Sequence, residues 1–163
     1  MTRVLIDTCV LYPSILRNVL LGCAKVRLFE PLWSERILEE WRRAAVRNGI
    51  GSEAGIEIAL VRADWSNAVV SVPEAVKNEL ILPDEDDRHV LAAAIEGGAN
   101  ELLTANVSDF PMRILGKYNI VGTVYVLTKK NQITKLENII NEKIEKSELI
   151  TYGTSILPNE SGI

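Results

Sequence analysis

The chain has few of the residues on which several classes of enzyme depend. Its 163 residues include two cysteines, Cys9 and Cys23, and one histidine, His89. Two cysteines at this spacing form neither a zinc motif nor a disulfide framework, so we expect two buried thiols. One histidine does not suffice for a convincing Ser-His-Asp or Cys-His catalytic set. The chain also lacks a glycine-rich phosphate loop, which removes ordinary nucleotide triphosphate chemistry.

Long apolar runs and an excess of basic residues are missing as well. No apolar stretch approaches the roughly 20 residues that a membrane helix needs. The amino-terminal apolar stretch is too short for a signal peptide, so we expect a cytoplasmic protein without a membrane partner. A composition of 47% hydrophobic and 25% charged residues is typical of a globular domain. The net charge of -4 means that binding to a nucleic acid would need a local basic patch.

Short apolar segments alternate with helical patterns along the chain. The predicted strands are residues 4–6, 68–72, 101–104 and 120–127, and the predicted helices begin at Ser14, after Ser34, at Ser52 and at Asp86. This alternation predicts an α/β fold, a three-layer α/β/α sandwich with a mostly parallel central sheet. We expect residues 1–127 to form one domain, with residues 128–163 as a carboxyl-terminal helix and tail that pack on it or extend from it.

Apolar spacing predicts which face of each helix is buried. The predicted buried residues are Ile15, Val19 and Leu20 in the first long helix, Ile37, Leu38, Trp41 and Ala45 in the second, and Ile56, Ala59, Leu60 and Ala63 in the third.

Four acidic residues lie where a strand ends or a helix begins: Asp7, Glu40, Asp87 and Asp109. Ligands of parallel α/β sheets bind beyond the carboxyl ends of the strands, so these side chains are expected to converge there. Ionised carboxylates repel one another unless a cation or a proton neutralises them. The pattern therefore predicts a metal-dependent enzyme in which carboxylates gather around a hard divalent cation such as Mg²⁺ or Mn²⁺.

Each acid also has a structural interpretation. Asp7 is able to cap the turn that follows it. Glu40 lies between Ile37 and Trp41 on the apolar side of its helix, whereas Glu39 points toward solvent, and plain surface charge remains an alternative for either.

The acidic run that begins at Asp84 favours a helix amino terminus, but four acids exceed what capping requires. Asp87 is preferred because it precedes the apolar Val90 by three residues, and Asp86 and Asp84 remain alternatives. Asp109 is also compatible with a simple turn aspartate. For His89 we favour a solvated or half-buried side chain over a metal ligand.

Three segments, VLIDTCVL, SERILEEW and DEDDRHVLAAAIEGGANELLTANVSDF, together resemble the PIN-domain ribonucleases, and in particular the VapC-like toxins of toxin–antitoxin pairs. The resemblance runs from about Arg3 to Leu127. It implies a ribonuclease whose acidic site consists of Asp7, Glu40, Asp87 and Asp109, supported by Thr8, Thr104, Asn106 and Asp86. It also implies RNA as substrate, products with a 5′-phosphate and a 3′-hydroxyl, a cognate antitoxin protein and a homodimer.

The chain departs from the family pattern at two positions. Cys9 stands where members commonly have asparagine, so a hydrogen bond to the acidic site is expected to be weaker or missing. Asn106 stands where many members have aspartate, so one negative charge is lost and a second metal is less secure. Arg42, Arg43 and Arg47, beyond Glu40 on the same helix, are the predicted contacts to the RNA backbone, with a solvated helix face as the alternative.

Two other functions remain open from the sequence. One is a phosphatase of the haloacid-dehalogenase kind with Asp7 as nucleophile, although Cys9 occupies the position where that chemistry usually has a second aspartate. The other is a catalytically inactive PIN-like binding module.

Overall fold

Five parallel strands form a single sheet in the described part of the chain. The computed structural model of the chain describes residues 1–106 and 108–124. Its strands are β1 (Arg3–Ile6), β2 (Glu30–Ser34), β3 (Val69–Val70), β4 (Glu101–Thr104) and β5 (Val121–Val124). They form one sheet in the order β3-β2-β1-β4-β5, and every neighbouring pair is parallel. The predicted α/β fold with a parallel sheet is therefore confirmed.

Seven α-helices connect the described strands: α1 (Thr8–Leu11), α2 (Ser14–Lys25), α3 (Glu35–Arg47), α4 (Gly51–Asp64), α5 (Glu74–Glu79), α6 (Arg88–Glu96) and α7 (Met112–Leu115). The four longest were predicted from apolar spacing. The short helices α1, α5 and α7 were not, because four to six residues span too few turns to show a periodic pattern.

Strand β1 lies in the middle of the sheet and determines where the first acid falls. Leu5 is paired with Leu32 on one side and with Leu102 on the other, and it is completely buried. Continuous burial of Val4 to Ile6 is typical of a central parallel strand. The next residue, Asp7, follows the strand at the carboxyl edge of the sheet, where its backbone N–H donates to the carbonyl oxygen of Leu103 at 3.0 Å.

Helix α3 has the predicted phase. Ile37, Leu38, Trp41 and Ala45 are all buried, and each is at most 1% exposed. The Ser34 hydroxyl accepts a hydrogen bond from the backbone N–H of Ile37 at 3.3 Å and so caps the helix as expected.

The predicted phase of α4 was wrong, and that of α2 was right only in part. Leu20 of α2 is buried as predicted, but Ile15 is 81% exposed, and the helix also buries Leu16 and Leu21. In α4, Ile56 and Leu60 are 65% and 60% exposed, whereas Ala54, Ile58 and Val61 are buried. Both helices carry apolar residues on more than one side, so spacing alone does not determine which side packs on the sheet.

Residues 1–124 form one compact unit. Strand β5 is confirmed as far as Val124, and the predicted boundary at residue 127 and the predicted carboxyl-terminal helix and tail lie outside the described residues. Among the helices that the structure describes, none combines the length and the apolar character needed to cross a bilayer.

Candidate functional site

Asp7 is the most firmly held carboxylate at the carboxyl edge of the sheet. It is 4% exposed, and its Oδ1 accepts a hydrogen bond from the backbone N–H of Thr8 at 2.6 Å. Its Oδ2 accepts from the hydroxyl of Thr104 at 2.8 Å and from the thiol of Cys9 at 3.2 Å. Asp7 thus caps α1, as the structural interpretation predicted, but its second oxygen is oriented by side chains from two different elements.

Cys9 takes part in fixing this carboxylate. Its sulfur also accepts a hydrogen bond from the backbone N–H of Ala105 at 3.3 Å, so the thiol joins α1 to the end of β4. Burial and the neighbouring charge of Asp7 raise the pKa of Cys9 to about 11, which keeps the thiol protonated and able to donate. The hydrogen bond expected to be weak or missing at this position is therefore present, with a thiol as the donor.

Glu40 faces the same site from α3. Its Oε2 accepts from the Thr8 hydroxyl at 3.1 Å, and its Oε1 lies 2.9 Å from His89 Nε2 and 3.1 Å from Arg36 Nε. Burial by itself raises the pKa of Glu40, but the hydrogen bonds of His89, Arg36 and Thr8 and the charge of His89 lower it overall. Of the two glutamates, the structure turns Glu40 inward.

Glu39 has a different environment. Its carboxylate accepts hydrogen bonds from Arg42 and Arg43 at the surface, and these lower its pKa to about 2. Arg42 and Arg43, predicted to contact RNA, are thus paired with Glu39 in the free protein.

His89 is buried rather than solvated. It is 8% exposed, because it lies on the side of α6 that packs toward Glu40, and the expectation of a solvated or half-buried side chain was wrong. The pairing with Glu40 occupies Nε2, whereas Nδ1 is buried and has no hydrogen-bond partner among the described residues.

Asp87 has few partners of its own. Helix α6 begins at Arg88, so Asp87 occupies the N-cap position, yet its side chain makes no capping hydrogen bond. Burial, followed by the negative charges of Asp7, Asp109 and Asp84, raises the pKa of Asp87 to about 6, and His89 opposes this shift. Of the four acids that were predicted to converge, Asp7 and Asp109 therefore act electrostatically on Asp87.

The loop after β4 places the remaining predicted residues. The backbone N–H of Asn106 donates to the Thr104 hydroxyl at 3.0 Å, and the Asp109 backbone N–H donates to the Asn106 carbonyl at 3.2 Å. Ser108 donates its hydroxyl to Asp109 Oδ1 at 3.2 Å. Asp109 acts on the charge of Asp87 from this loop.

A groove with a volume of about 440 Å³ contains most of these residues, and we call it the acidic groove. It is lined by Asp7, Thr8, Cys9, Tyr12, Arg36, Glu40, Arg43, Ala44, Arg47, Asp87 and Asn106. Neither Asp109 nor Arg42 is among the described residues that line it. Asp86 is exposed and lines a separate groove, next to Ser71 and Lys77.

Sequence reasoning missed Tyr12 and Arg36, which line the acidic groove, and His89, which contacts Glu40. Arg36 precedes Glu40 by four residues, and this spacing on a helix is a detectable signal for an ion pair. His89 lies two residues beyond Asp87, but its pairing with Glu40 joins α6 to α3 and leaves no local pattern. Tyr12 has no signal in the sequence.

The donor chemistry of the groove fits a hard divalent cation. Asp7, Glu40 and Asp87 offer carboxylate oxygens, and Asn106 offers an amide oxygen, which are the ligand types that Mg²⁺ prefers. Burial and, after it, the charges of Asp7, Asp109 and Asp84 raise the pKa of Asp87, and a cation would relieve the repulsion between these charges. As the side chains stand, the described part of the chain contains no group of three His, Cys, Asp or Glu residues close enough to hold an ion.

A family model described as the PIN domain matches residues 3–108. The chain therefore belongs to the PIN domain family, whose members are generally nucleases and usually bind divalent metals. Searches of curated proteins and of solved structures found no match.

Proposed function

We propose that the chain is a metal-dependent endoribonuclease that hydrolyses RNA phosphodiester bonds. The observation that carries this proposal is the pair formed by Asp7 and Asp87. Asp7 is fixed by three hydrogen bonds, and Asp87 lies within its electrostatic field at the start of α6 without capping that helix. A structural aspartate at this position would be expected to cap the helix. Membership in a family of nucleases supports the same conclusion.

Asp7, Glu40, Asp87 and Asp109 would hold the Mg²⁺ or Mn²⁺ ion in this proposal. When bound, such an ion lowers the pKa of a coordinated water and stabilises negative charge at the phosphate. Thr104 and Cys9 orient the Asp7 carboxylate, and Thr8, His89 and Arg36 orient that of Glu40. Asn106 contributes an uncharged oxygen, so one tightly held ion is expected rather than two.

Cleavage of a 5′-labelled single-stranded RNA with Mg²⁺, with Mn²⁺ and with EDTA tests this proposal. We expect the wild-type protein to cut only with a divalent ion and Asp7→Asn to lose at least about 100-fold in rate, since an ion ligand is lost. The control is Asp64→Asn, which removes an exposed carboxylate at the end of α4 that pairs with Lys25. Robust cleavage by Asp7→Asn in EDTA would rule out the proposed mechanism.

Two measurements distinguish the alternative functions. Calorimetric titration with Mn²⁺ that shows no binding, together with no RNA cleavage, would favour an inactive binding module. A trapped phospho-aspartate at Asp7 would favour the phosphatase, which otherwise lacks its second aspartate because Cys9 occupies that position.

We further propose that the protein acts in the cytoplasm as the toxin of a VapC-like toxin–antitoxin pair and forms a homodimer. Resemblance of the three acidic segments to such toxins supports this proposal. An antitoxin would offer a basic side chain to the acidic groove. Residues 1–127 would form the nuclease domain and residues 128–163 an accessory segment. Co-expression with the product of a neighbouring small reading frame should abolish RNA cleavage, and light scattering should give the mass of a dimer.

A further inference from the structure

The acidic groove carries two kinds of side chain. Asp7 directly follows β1, and Asp87 directly precedes α6. Arg43 and Arg47 belong to the last two turns of α3. Arg47 lies seven residues beyond Glu40, which is roughly 10 Å along a helix axis. Arg36 also lines the groove but is paired with Glu40, so beyond Glu40 the wall that α3 forms is cationic.

Tyr12 lines this groove together with the arginines and is held at two points. Its backbone carbonyl accepts a hydrogen bond from Arg17 Nη1 at 3.0 Å, and Arg17 is itself only 3% exposed. Its hydroxyl accepts from Asn48 Nδ2 at 2.6 Å. The aromatic ring is therefore oriented before any ligand arrives, which reduces the entropy lost on binding.

The two arginines are available to an anion. Arg47 is exposed, and its side chain makes no hydrogen bond or ion pair with the residues that the structure describes. Arg43 donates through Nε to Glu39 at the surface, and an exposed pair of this kind is readily exchanged for another anion. Ala44, between them in the chain, has a small side chain that leaves space in the groove.

We propose that Tyr12, Arg43 and Arg47 form a subsite for one unpaired nucleotide of the RNA, with its base stacked on Tyr12 and its phosphate bound by the arginines. This inference rests on the proposed ribonuclease function. Single-stranded nucleic acids are bound by this combination of an aromatic platform and a basic groove, because an unpaired base exposes a face on which an aromatic ring stacks. A base inside a duplex is covered by its neighbours, so the subsite selects single strands.

Binding of a fluorescein-labelled single-stranded RNA 12-mer in EDTA tests the subsite without cleavage. Tyr12→Ala should weaken binding by roughly 5- to 100-fold, whereas Tyr12→Phe, which keeps the ring, should stay within about threefold of the wild type. Arg47→Ala should also weaken binding. Arg62→Ala, which removes an exposed arginine of α4 that pairs with Glu35, is the control and should bind like the wild type.

A second measurement does not depend on the variants. An RNA that carries 2-aminopurine should lose fluorescence on binding to the wild-type protein, because stacking on Tyr12 quenches it. Equal affinity of wild type and Tyr12→Ala, or equal binding of the corresponding duplex, would overturn the subsite.

Different experimental results would contradict the proposed subsite and the proposed nuclease function. RNA cleavage that requires Asp7 but is unaffected by Tyr12→Ala, with unchanged binding, would overturn the subsite alone. Tyr12-dependent binding without cleavage in Mg²⁺ or Mn²⁺ would overturn the nuclease function and leave the subsite in place.

Discussion

The three carboxylates of the acidic groove differ in how fully their charge is compensated. Asp7 accepts hydrogen bonds at both oxygens, and Glu40 contacts Thr8, His89 and Arg36. Asp87 has the charges of three other aspartates around it and no capping bond. In the metal-free protein, unfavourable electrostatic interactions are therefore concentrated on Asp87.

These interactions predict a pH-dependent stability for the metal-free protein. Because the folded-state pKa of Asp87 is raised to about 6 from 3.8, the folded state binds this proton more tightly than the unfolded state. The contribution is stabilising at low pH and is lost as the pH rises through about 6. Between pH 4.5 and pH 7.5, the stability advantage of Asp87→Asn over the wild type should grow by about 1 kcal/mol, a figure reduced for solvent screening.

Urea unfolding in EDTA at the two pH values measures this difference. Asp64→Asn serves as the reference for removal of an exposed carboxylate. The same advantage for Asp87→Asn at pH 4.5 and pH 7.5 would contradict the prediction.

Arg17 is a second residue whose substitution has a predictable effect. Its guanidinium donates to the carbonyls of Leu11 and Tyr12, pairs with Glu57, and lies 4.4 Å from the centre of the Trp41 ring. Arg17→Ala removes these contacts and leaves carbonyl groups at the end of α1 without partners. We expect a loss of about 2–4 kcal/mol in the free energy of unfolding.

Arg62→Ala is the matched control for this stability measurement. Arg62 pairs with Glu35, and both side chains are about half exposed, so its loss should cost less than about 1 kcal/mol. Equal losses for the two variants in urea unfolding would show that burial of Arg17 contributes little.

The phase of helix α3 places two adjacent glutamates, Glu39 and Glu40, on different sides of the helix. Glu40 follows Ile37 by three residues and precedes the buried Trp41 by one, so the apolar stripe turns it inward, whereas the adjacent Glu39 faces Arg42 and Arg43 at the surface. Two adjacent residues of the same type thus have different surroundings.

This difference predicts opposite outcomes for two conservative variants. Glu40→Gln should reduce RNA cleavage in Mg²⁺ by at least about tenfold, because a charged oxygen beside the proposed ion site is lost. Glu39→Gln should cleave at least as fast as the wild type, since it frees Arg43 for the substrate. Initial rates of RNA cleavage under identical conditions compare the two variants. A larger loss of rate for Glu39→Gln than for Glu40→Gln would show that the helix phase has been misassigned.

The same elements show how much the sequence reveals. The phase of α3 is predictable because its apolar residues fall on one side and its charges on the other. Helix α4 offers no such contrast, since Ile56 and Leu60 are exposed while Ile58 and Val61 are buried. The positions of Asp7 and Asp87 at element ends were predictable. The contacts of Tyr12 and His89 were not, because Asn48 and Glu40 reach them from another helix.

The molecule as a whole carries a net charge of -4, so its binding to RNA depends on local phosphate contacts, whose number determines the response to salt. A protein that contacts many phosphates loses affinity steeply as the salt concentration rises, with a slope of about -0.7 per contact for single strands. If Arg43 and Arg47 are the principal contacts, the slope of log K against log[salt] should be about -1.4. Arg47→Ala should reduce its magnitude by about 0.7.

Anisotropy titrations of the labelled 12-mer between 50 and 300 mM KCl measure this slope. A slope several times steeper would indicate a broad basic surface outside the acidic groove. An Arg47→Ala slope equal to that of the wild type would exclude Arg47 as a phosphate contact.

The parallel pairing of the strands was predictable from the sequence, but the order of the strands in the sheet was not. Alternation of strands and helices indicates parallel pairing, but it does not indicate that β1 pairs with β4. That pairing brings Thr104 to Asp7 across 97 residues of chain and completes the hydrogen bonding of the first acid.

The pairing of β1 with β4 also determines how much of the chain must be synthesised before the proposed site is complete. Asp7 leaves the ribosome before Thr104, and its Oδ2 accepts a hydrogen bond from the Thr104 hydroxyl only after β4 has emerged and inserted beside β1. Contacts between such distant segments form late, because the intervening loop must close first. A nascent chain that ends before residue 104 lacks both this support and the loop that carries Asp109. For an enzyme proposed to cut RNA, the ribosome and its message would be shielded from the growing chain by the order of the strands.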